Sequence, residues 1–128
     1  MKAEEAYSIK VASDISVADG LAYFTVNWIE GNEYKSSIYS FDGTREERVT
    51  FGGHEKKPVI HKGSLYYVSY TKEEESLFVI DGMSEPRKLY SNRSIGKYIF
   101  VKDQVLAIVQ DKADKEAPFI AKKLKYRF

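Results

Sequence analysis

Residues Ser64 to Leu89, SLYYVSYTKEEESLFVIDGMSEPRKL, read as three short strands separated by turns. Leu65-Tyr66-Tyr67-Val68 is apolar without the alternation of a strand that has one wet face, so it is expected to pack on both sides. Glu73-Glu74-Glu75 resists burial and makes a solvated hairpin tip. Leu77 to Ile80 is a second β-rich run, stopped by Asp81-Gly82, a dipeptide suited to a turn that needs positive φ. Arg87 to Tyr90 follows as a shorter, more polar strand.

The same text recurs on either side. Upstream, Asp19-Gly20 opens Leu21 to Ile29, the tip is Glu30 to Glu33, Ser37 to Phe41 runs into Asp42-Gly43, and Arg48 to Phe51 closes the unit. Gly20 is matched by Gly63, 43 residues on, whereas Gly43 and Arg48 are matched by Gly82 and Arg87, 39 residues on. The difference falls in the hairpin tip, where insertions are tolerated. A third copy begins at Val105 to Val109, with Leu106 aligned 41 residues after Leu65. It passes through a charged tip, Asp111 to Glu116, into Phe119-Ile120-Ala121. Each copy is introduced by a short strand and tight turn: Asp14 to Gly20, Pro58 to Gly63 and Tyr98 to Asp103.

A repeat of about 40 residues with four short strands is the signature of β-propeller blades. The predicted fold is therefore all-β: a partial propeller of about three blades of four antiparallel strands, at residues 14–52, 53–92 and 96–125 of one domain spanning 1–128. No closing run follows Tyr126-Arg127-Phe128, so the third blade is expected to lack its outer strand, giving eleven blade strands. A closed propeller takes roughly 4 to 8 blades, or at least about 160 residues, so an open arc is expected. Thr50 to His54 and Ser91 to Gly96 are predicted to be the loops joining one blade to the next, and Tyr7 to Val11 an additional edge strand.

Composition narrows the function. Twenty basic and 19 acidic residues leave a net charge of +1, and they are interspersed, so no field exists to hold nucleic acid or an anionic membrane. Lys56-Lys57, Lys122-Lys123 and the glutamates at the tip read as solvated surface. Without cysteine there are no disulfides and no thiolate chemistry. MKAEEAYSIK has no apolar core of a signal peptide, and no apolar run reaches the length of a membrane span, so a cytoplasmic location is expected. The bias toward Lys and Glu points to a thermophilic source.

His54 and His61 are the only imidazoles; His54-Glu55-Lys56-Lys57-Pro58 lacks the second histidine of HExxH, and ordinary loop and edge-strand positions account for both. Ser76, Ser84 and Ser94 lie outside any GxSxG elbow. Gly52-Gly53 lacks the GxGxxG and GKS/T contexts and reads as a sharp turn. Asp42-Gly43 and Asp81-Gly82 have no calcium-loop series around them. Asn92-Arg93-Ser94 fits the glycosylation sequon but has no secretory context. No catalytic, cofactor-binding or metal-ligating residues are therefore assigned, and no cofactor is expected. The rings Tyr23, Phe24, Tyr39, Phe41, Tyr66, Tyr67 and Phe78 lie in apolar strand runs and are expected to pack between blades rather than to stack on bases.

Val11-Ala12-Ser13-Asp14, the run Asp19-Gly20-Leu21-Ala22-Tyr23-Phe24, and Ile38 to Gly43 leading to Arg48-Val49-Thr50-Phe51-Gly52-Gly53 together resemble the N-terminal propeller of the prolyl oligopeptidase family, in its acylaminoacyl-peptidase branch. Lys123 to Phe128 looks like the run before that family's next blade. The resemblance implies a noncatalytic propeller that gates a separate α/β-hydrolase domain carrying serine, aspartate and histidine, and admits peptides and small acylated substrates. None of those catalytic residues has a counterpart here. The alternative is a stand-alone propeller-type module that binds a protein or peptide. For partners, the bare faces of the end blades predict a homodimer, blade one of each copy on blade three of the other, or a higher homo-oligomer that buries the same faces. Tyr7 to Val11 of the partner would then replace the missing outer strand; a separate hydrolase domain is the other candidate partner.

Overall fold

The computed structural model describes residues 11–82, 84–102, 104–110 and 118–124. Eleven strands lie in them, in three antiparallel sheets and with no helix among the described residues. Blade one is β1 (Val11–Ala18), β2 (Leu21–Glu30), β3 (Glu33–Phe41) and β4 (Glu46–Arg48), paired in chain order. Blade two repeats that order with β5 (Glu55–His61), β6 (Ser64–Tyr70), β7 (Glu75–Ile80) and β8 (Arg87–Asn92). The third sheet holds β9 (Ser94–Val101), β10 (Gln104–Gln110) and β11 (Ile120–Leu124), with no fourth strand among the described residues. The three sheets do not close on themselves, as a partial propeller requires. The edge strand expected at Tyr7 to Val11 and the tip at Asp111 to Glu116 lie, apart from Val11 itself, outside the described residues.

The inner hairpins form because their turns supply left-handed residues. Asp19 and Gly20 (φ 51° and 79°) and Lys62 and Gly63 (φ 50° and 81°) each have two consecutive positive φ values, the geometry that lets a two-residue turn follow the strands' twist. Ala18 pairs Leu21, His61 pairs Ser64 and Val101 pairs Gln104 across the three turns. This register makes Val105, not Leu106, the equivalent of Leu65, an offset of 40 rather than 41. One residue matters, because side chains alternate between faces and a slip of one sends each to the wrong side.

β6 behaves as its continuous apolar run predicts: Leu65, Tyr66, Tyr67 and Val68 are all buried. Leu65 and Tyr67 pack toward blade one with Ile38, Ile60 and Phe78. Tyr66 and Val68, with Leu77 and Val79 of β7, meet Ile95, Tyr98, Val105, Ala107 and Val109 of the third sheet. Phe24 and Tyr39 depart from the expectation of packing between blades. Their rings meet each other, centroids 6.2 Å apart, on the face of blade one turned away from blade two.

The blade junctions also differ from a simple loop reading. Thr50 to His54 does leave the sheet, but it runs on along β3, Ser36 N–H donating to Gly53 O (2.8 Å). Ser91 to Gly96, expected to be a loop, is strand except at Arg93. Glu75 explains why, since its carboxylate accepts from Ile95 N–H (2.6 Å) and from Lys56 Nζ (2.6 Å), holding β9 against β7 as soon as β8 ends.

Candidate functional site

The first strand of every sheet is broken by a bulge. In β1 the register skips Asp14, in β5 it skips Lys57 and Pro58, and in β9 it skips Gly96. Asp14 and Lys57 have φ of 50° and 56°, a conformation uncommon for residues with a Cβ. Pro58, lacking an N–H, fits an edge-strand bulge, and Gly96 leaves room for the Phe119 ring, which an added Cβ would meet at 3.3 Å. Bulges re-aim side chains and are enriched at the rims of functional clefts.

All three bulges open on one cleft of about 370 Å³, lined by Asp14 and Ile15, by Lys57, Pro58 and Val59, and by Gly96, Lys97 and Tyr98. Asp14, Lys57 and Lys97 occupy equivalent positions, 43 and 40 residues apart, so the repeat places one charged group from each blade at this cleft. Thr25 Oγ1 donates to Asp14 Oδ2 (3.4 Å), and the Tyr98 hydroxyl donates to Lys57 O (2.5 Å), which ties blade three to the bulge of blade two. One carboxylate and two ammonium groups around a concave surface can hold ionic groups of a ligand.

A second cleft, of about 630 Å³, lies between blades one and two and is lined by Phe51, Glu55, Tyr67, Phe78, Ile80 and Pro86, among others. Glu55 is buried and accepts from the N–H groups of Gly53 (3.3 Å) and His54 (3.0 Å) and from Ser37 Oγ (3.3 Å). A Cβ at Gly52 would press on the end of the Glu55 side chain and force the carboxylate to shift. Burial, with the Glu55 charge as the smaller cause, pushes the Tyr67 phenol up to about 12. This cleft is thus a packed junction whose carboxylate is committed to the joining loop.

A groove of about 490 Å³ at the hairpin tips is lined by Glu33, Tyr34, His54, Tyr70, Thr71 and Lys72. His54 meets Tyr70 edge to face (5.3 Å), and Ser36 Oγ and Tyr70 OH lie 2.9 Å apart.

His61 stacks on Phe100 (4.1 Å between centroids), far from His54 in role and surroundings. Asp42 Oδ1 accepts from the N–H groups of Thr44 and Arg45 (both 2.8 Å), and these bonds hold its carboxyl below the usual carboxylate range. Asp81 takes Ser64 Oγ (2.5 Å) and Arg87 (3.3 Å). Both aspartates are therefore turn anchors. Among the described residues no three His, Asp or Glu side chains converge as metal ligands, and no helix is long and apolar enough to cross a membrane.

Asp14, Lys57 and Lys97 escaped the sequence reading because a charge on an edge strand is ordinary. Aligning the three copies on their turns would have shown a charged residue at the same place in each.

Comparison with known proteins bears on the whole arrangement. The structure is similar to an acylaminoacyl peptidase of Pyrococcus horikoshii (TM-score 0.69, 17% identity), covering 84% of this chain and 19% of that one. It is also similar to an acylaminoacyl peptidase in complex with Z-Gly-Gly-Phe-chloromethyl ketone (TM-score 0.70, 15% identity, 84% of this chain and 18% of that one). The β-propeller domain of the Trilobed protease from Pyrococcus furiosus, described as having an open velcro topology, matches with a TM-score of 0.69 and 15% identity over 93% of this chain and 44% of that one. The chain thus spans about a fifth of the two peptidases and less than half of the propeller domain. No curated protein sequence matches it. Residues 25–128 match the family described as "Acylaminoacyl-peptidase, N-terminal beta-propeller domain", and with two four-stranded sheets and one three-stranded sheet in repeat order behind that match, the chain belongs to this propeller family.

Proposed function

We propose that the chain is the noncatalytic, substrate-gating propeller portion of an acylaminoacyl-peptidase-like serine peptidase, the serine, aspartate and histidine residing in a hydrolase domain. The observation that carries this reading is the cleft shared by the three first strands, where the bulges bring Asp14, Lys57 and Lys97 together. A short peptide passing such a cleft meets groups of both signs, whereas a folded polypeptide is too large for a space of about 370 Å³. The charges act on entry and leave the chemistry to the hydrolase.

The test begins with the genomic region following the codon for Phe128, read for a GxSxG-bearing frame. Hydrolysis by that enzyme is then measured on acylated tripeptides and on a long unfolded polypeptide, with this chain unaltered and with Lys57→Glu plus Lys97→Glu. Gating predicts that the charge reversal changes kcat/KM for substrates with a free carboxylate and leaves uncharged acyl esters alone. Identical profiles for both forms would remove the cleft from the mechanism.

The groove at the hairpin tips favours the second reading, a propeller-type protein or peptide interaction module. Tyr34 is exposed beside Tyr70 and His54, an aromatic surface of the kind that anchors partners. That reading predicts peptide binding lost in Tyr34→Ala, with no hydrolase frame in the neighbourhood.

A further inference from the structure

Blade two shows how a blade in this chain joins its neighbours, and the two outer faces of the arc repeat its residues. Toward blade one, blade two presents Ile60, Tyr67, Phe78 and Ile80. The equivalents in blade one are Val17, Phe24, Tyr39 and Phe41, and they line the face turned away from blade two, with Val17 68% and Phe41 41% exposed. Toward blade three, blade two presents Val59, Tyr66 and Val68. Their equivalents in blade three, Ile99, Leu106 and Ile108, line its outward face, with Ile99 45% and Ile108 37% exposed. Lys97 and Lys123 share that face from the first and third strands, which leaves its middle strand apolar.

The outer face of blade one therefore has the composition that docks onto a preceding blade, and the outer face of blade three has the composition that receives a following one. From this match we infer that the chain pairs with a second copy of itself, blade one of each seated on blade three of the other about a two-fold axis. The inference stands apart from the gating role, since it uses neither the cleft nor a hydrolase. Area selects the closed pair. Strands about 4.8 Å apart give a blade face of roughly 300 Å², so a single contact buries about 600 Å² over both sides, the size of a crystal-packing contact. Two contacts bury about 1,200 Å², the lower limit of stable specific interfaces. A closed pair also leaves neither apolar face in water.

The test is light scattering of the 128-residue chain over a dilution series from high micromolar to nanomolar, with two variants at exposed positions, Val17→Glu and Ile108→Glu. Expected are twice the 14.7 kDa mass for the unaltered chain, and monomer for each variant alone and for the two mixed, because the mixed pair keeps a single contact of about 600 Å² between unaltered faces. Circular dichroism checks that each variant keeps its strands, and Phe41→Lys replaces Val17→Glu if that protein is unfolded. A folded monomer of the unaltered chain at high micromolar concentration, with its faces left for flanking blades or a hydrolase domain, would overturn the inference. Mass that climbs past two copies, or a dimer indifferent to both variants, would do so equally.

Discussion

Raising the pH past the ordinary range of a tyrosine should destabilise this chain through Tyr67, and the size of the effect follows from its place between blades one and two. Burial, helped by the Glu55 charge, lifts the phenol from 10.0 to about 12 in the folded chain. Below pH 10 both folded and unfolded forms hold the proton, so the contribution is fully present. As the pH climbs from about 10 to about 12 the unfolded chain ionises first, and stability drains away at about 1.4 kcal/mol per unit. Between pH 8 and pH 11 the loss assigned to Tyr67 is therefore about 1.4 kcal/mol. Urea unfolding at the two pH values measures it, with Tyr67→Phe as the comparison. Every other ionisable group is common to the two proteins and cancels in the difference. Tyr67→Phe should lose about 1.4 kcal/mol less than the parent over this interval. Equal losses in the two proteins would mean that the phenol is not held in a low-dielectric junction.

Three further outcomes are expected. Tyr66→Ala and Leu77→Ala empty fully buried sites between blades two and three and should each lower the unfolding free energy by about 2 to 5 kcal/mol, while Glu74→Ala at the exposed tip stays within about 0.5 kcal/mol; denaturant titration separates these. Gly52→Ala forces the Glu55 carboxylate off its donors and should cost about 1 to 3 kcal/mol, with faster amide exchange at Gly53 and His54. Pure chain should neither turn over acylated amino-acid esters nor be labelled by a serine-directed fluorophosphonate, and turnover blocked by such a label would contradict the noncatalytic reading.

The repeat was legible because it is written in turn chemistry: Asp19-Gly20 and Lys62-Gly63 stop the first strands of blades one and two, and Asp42-Gly43 and Asp81-Gly82 stop their third strands, whatever surrounds them. The burial of Leu65 to Val68 was legible for a related reason, since only a strand packed on both faces tolerates four apolar residues in a row. What stayed hidden was the side to which a ring points. Phe24 and Tyr66 look alike in sequence, but one lies on an outer face and the other under blade three, a distinction set by register and by which sheets have neighbours. The loop expected at Ser91 to Gly96 failed because Glu75, nineteen residues upstream of Ser94, organises it through space. Of the cleft, the residue types were in view, but the bulges that gather Asp14, Lys57 and Lys97 depend on backbone angles that Asp and Lys seldom adopt.

The two sides of β6 are unequal in a way that governs how the arc comes apart. On the blade-three side ten buried apolar residues form one cluster, Tyr66 and Val68 among them, whereas on the blade-one side the apolar cluster is Ile38, Leu65 and Tyr67, and buried polar residues such as Ser37, Thr50 and Glu55 share the junction with it. When each unit touches only its neighbours, cooperativity is the sum of nearest-neighbour couplings, and the weaker coupling yields first. Where apolar burial sets the coupling, blade one is the leaf expected to open first, and native-state hydrogen exchange should then show its amides exchanging before those of β6, β7 and β10.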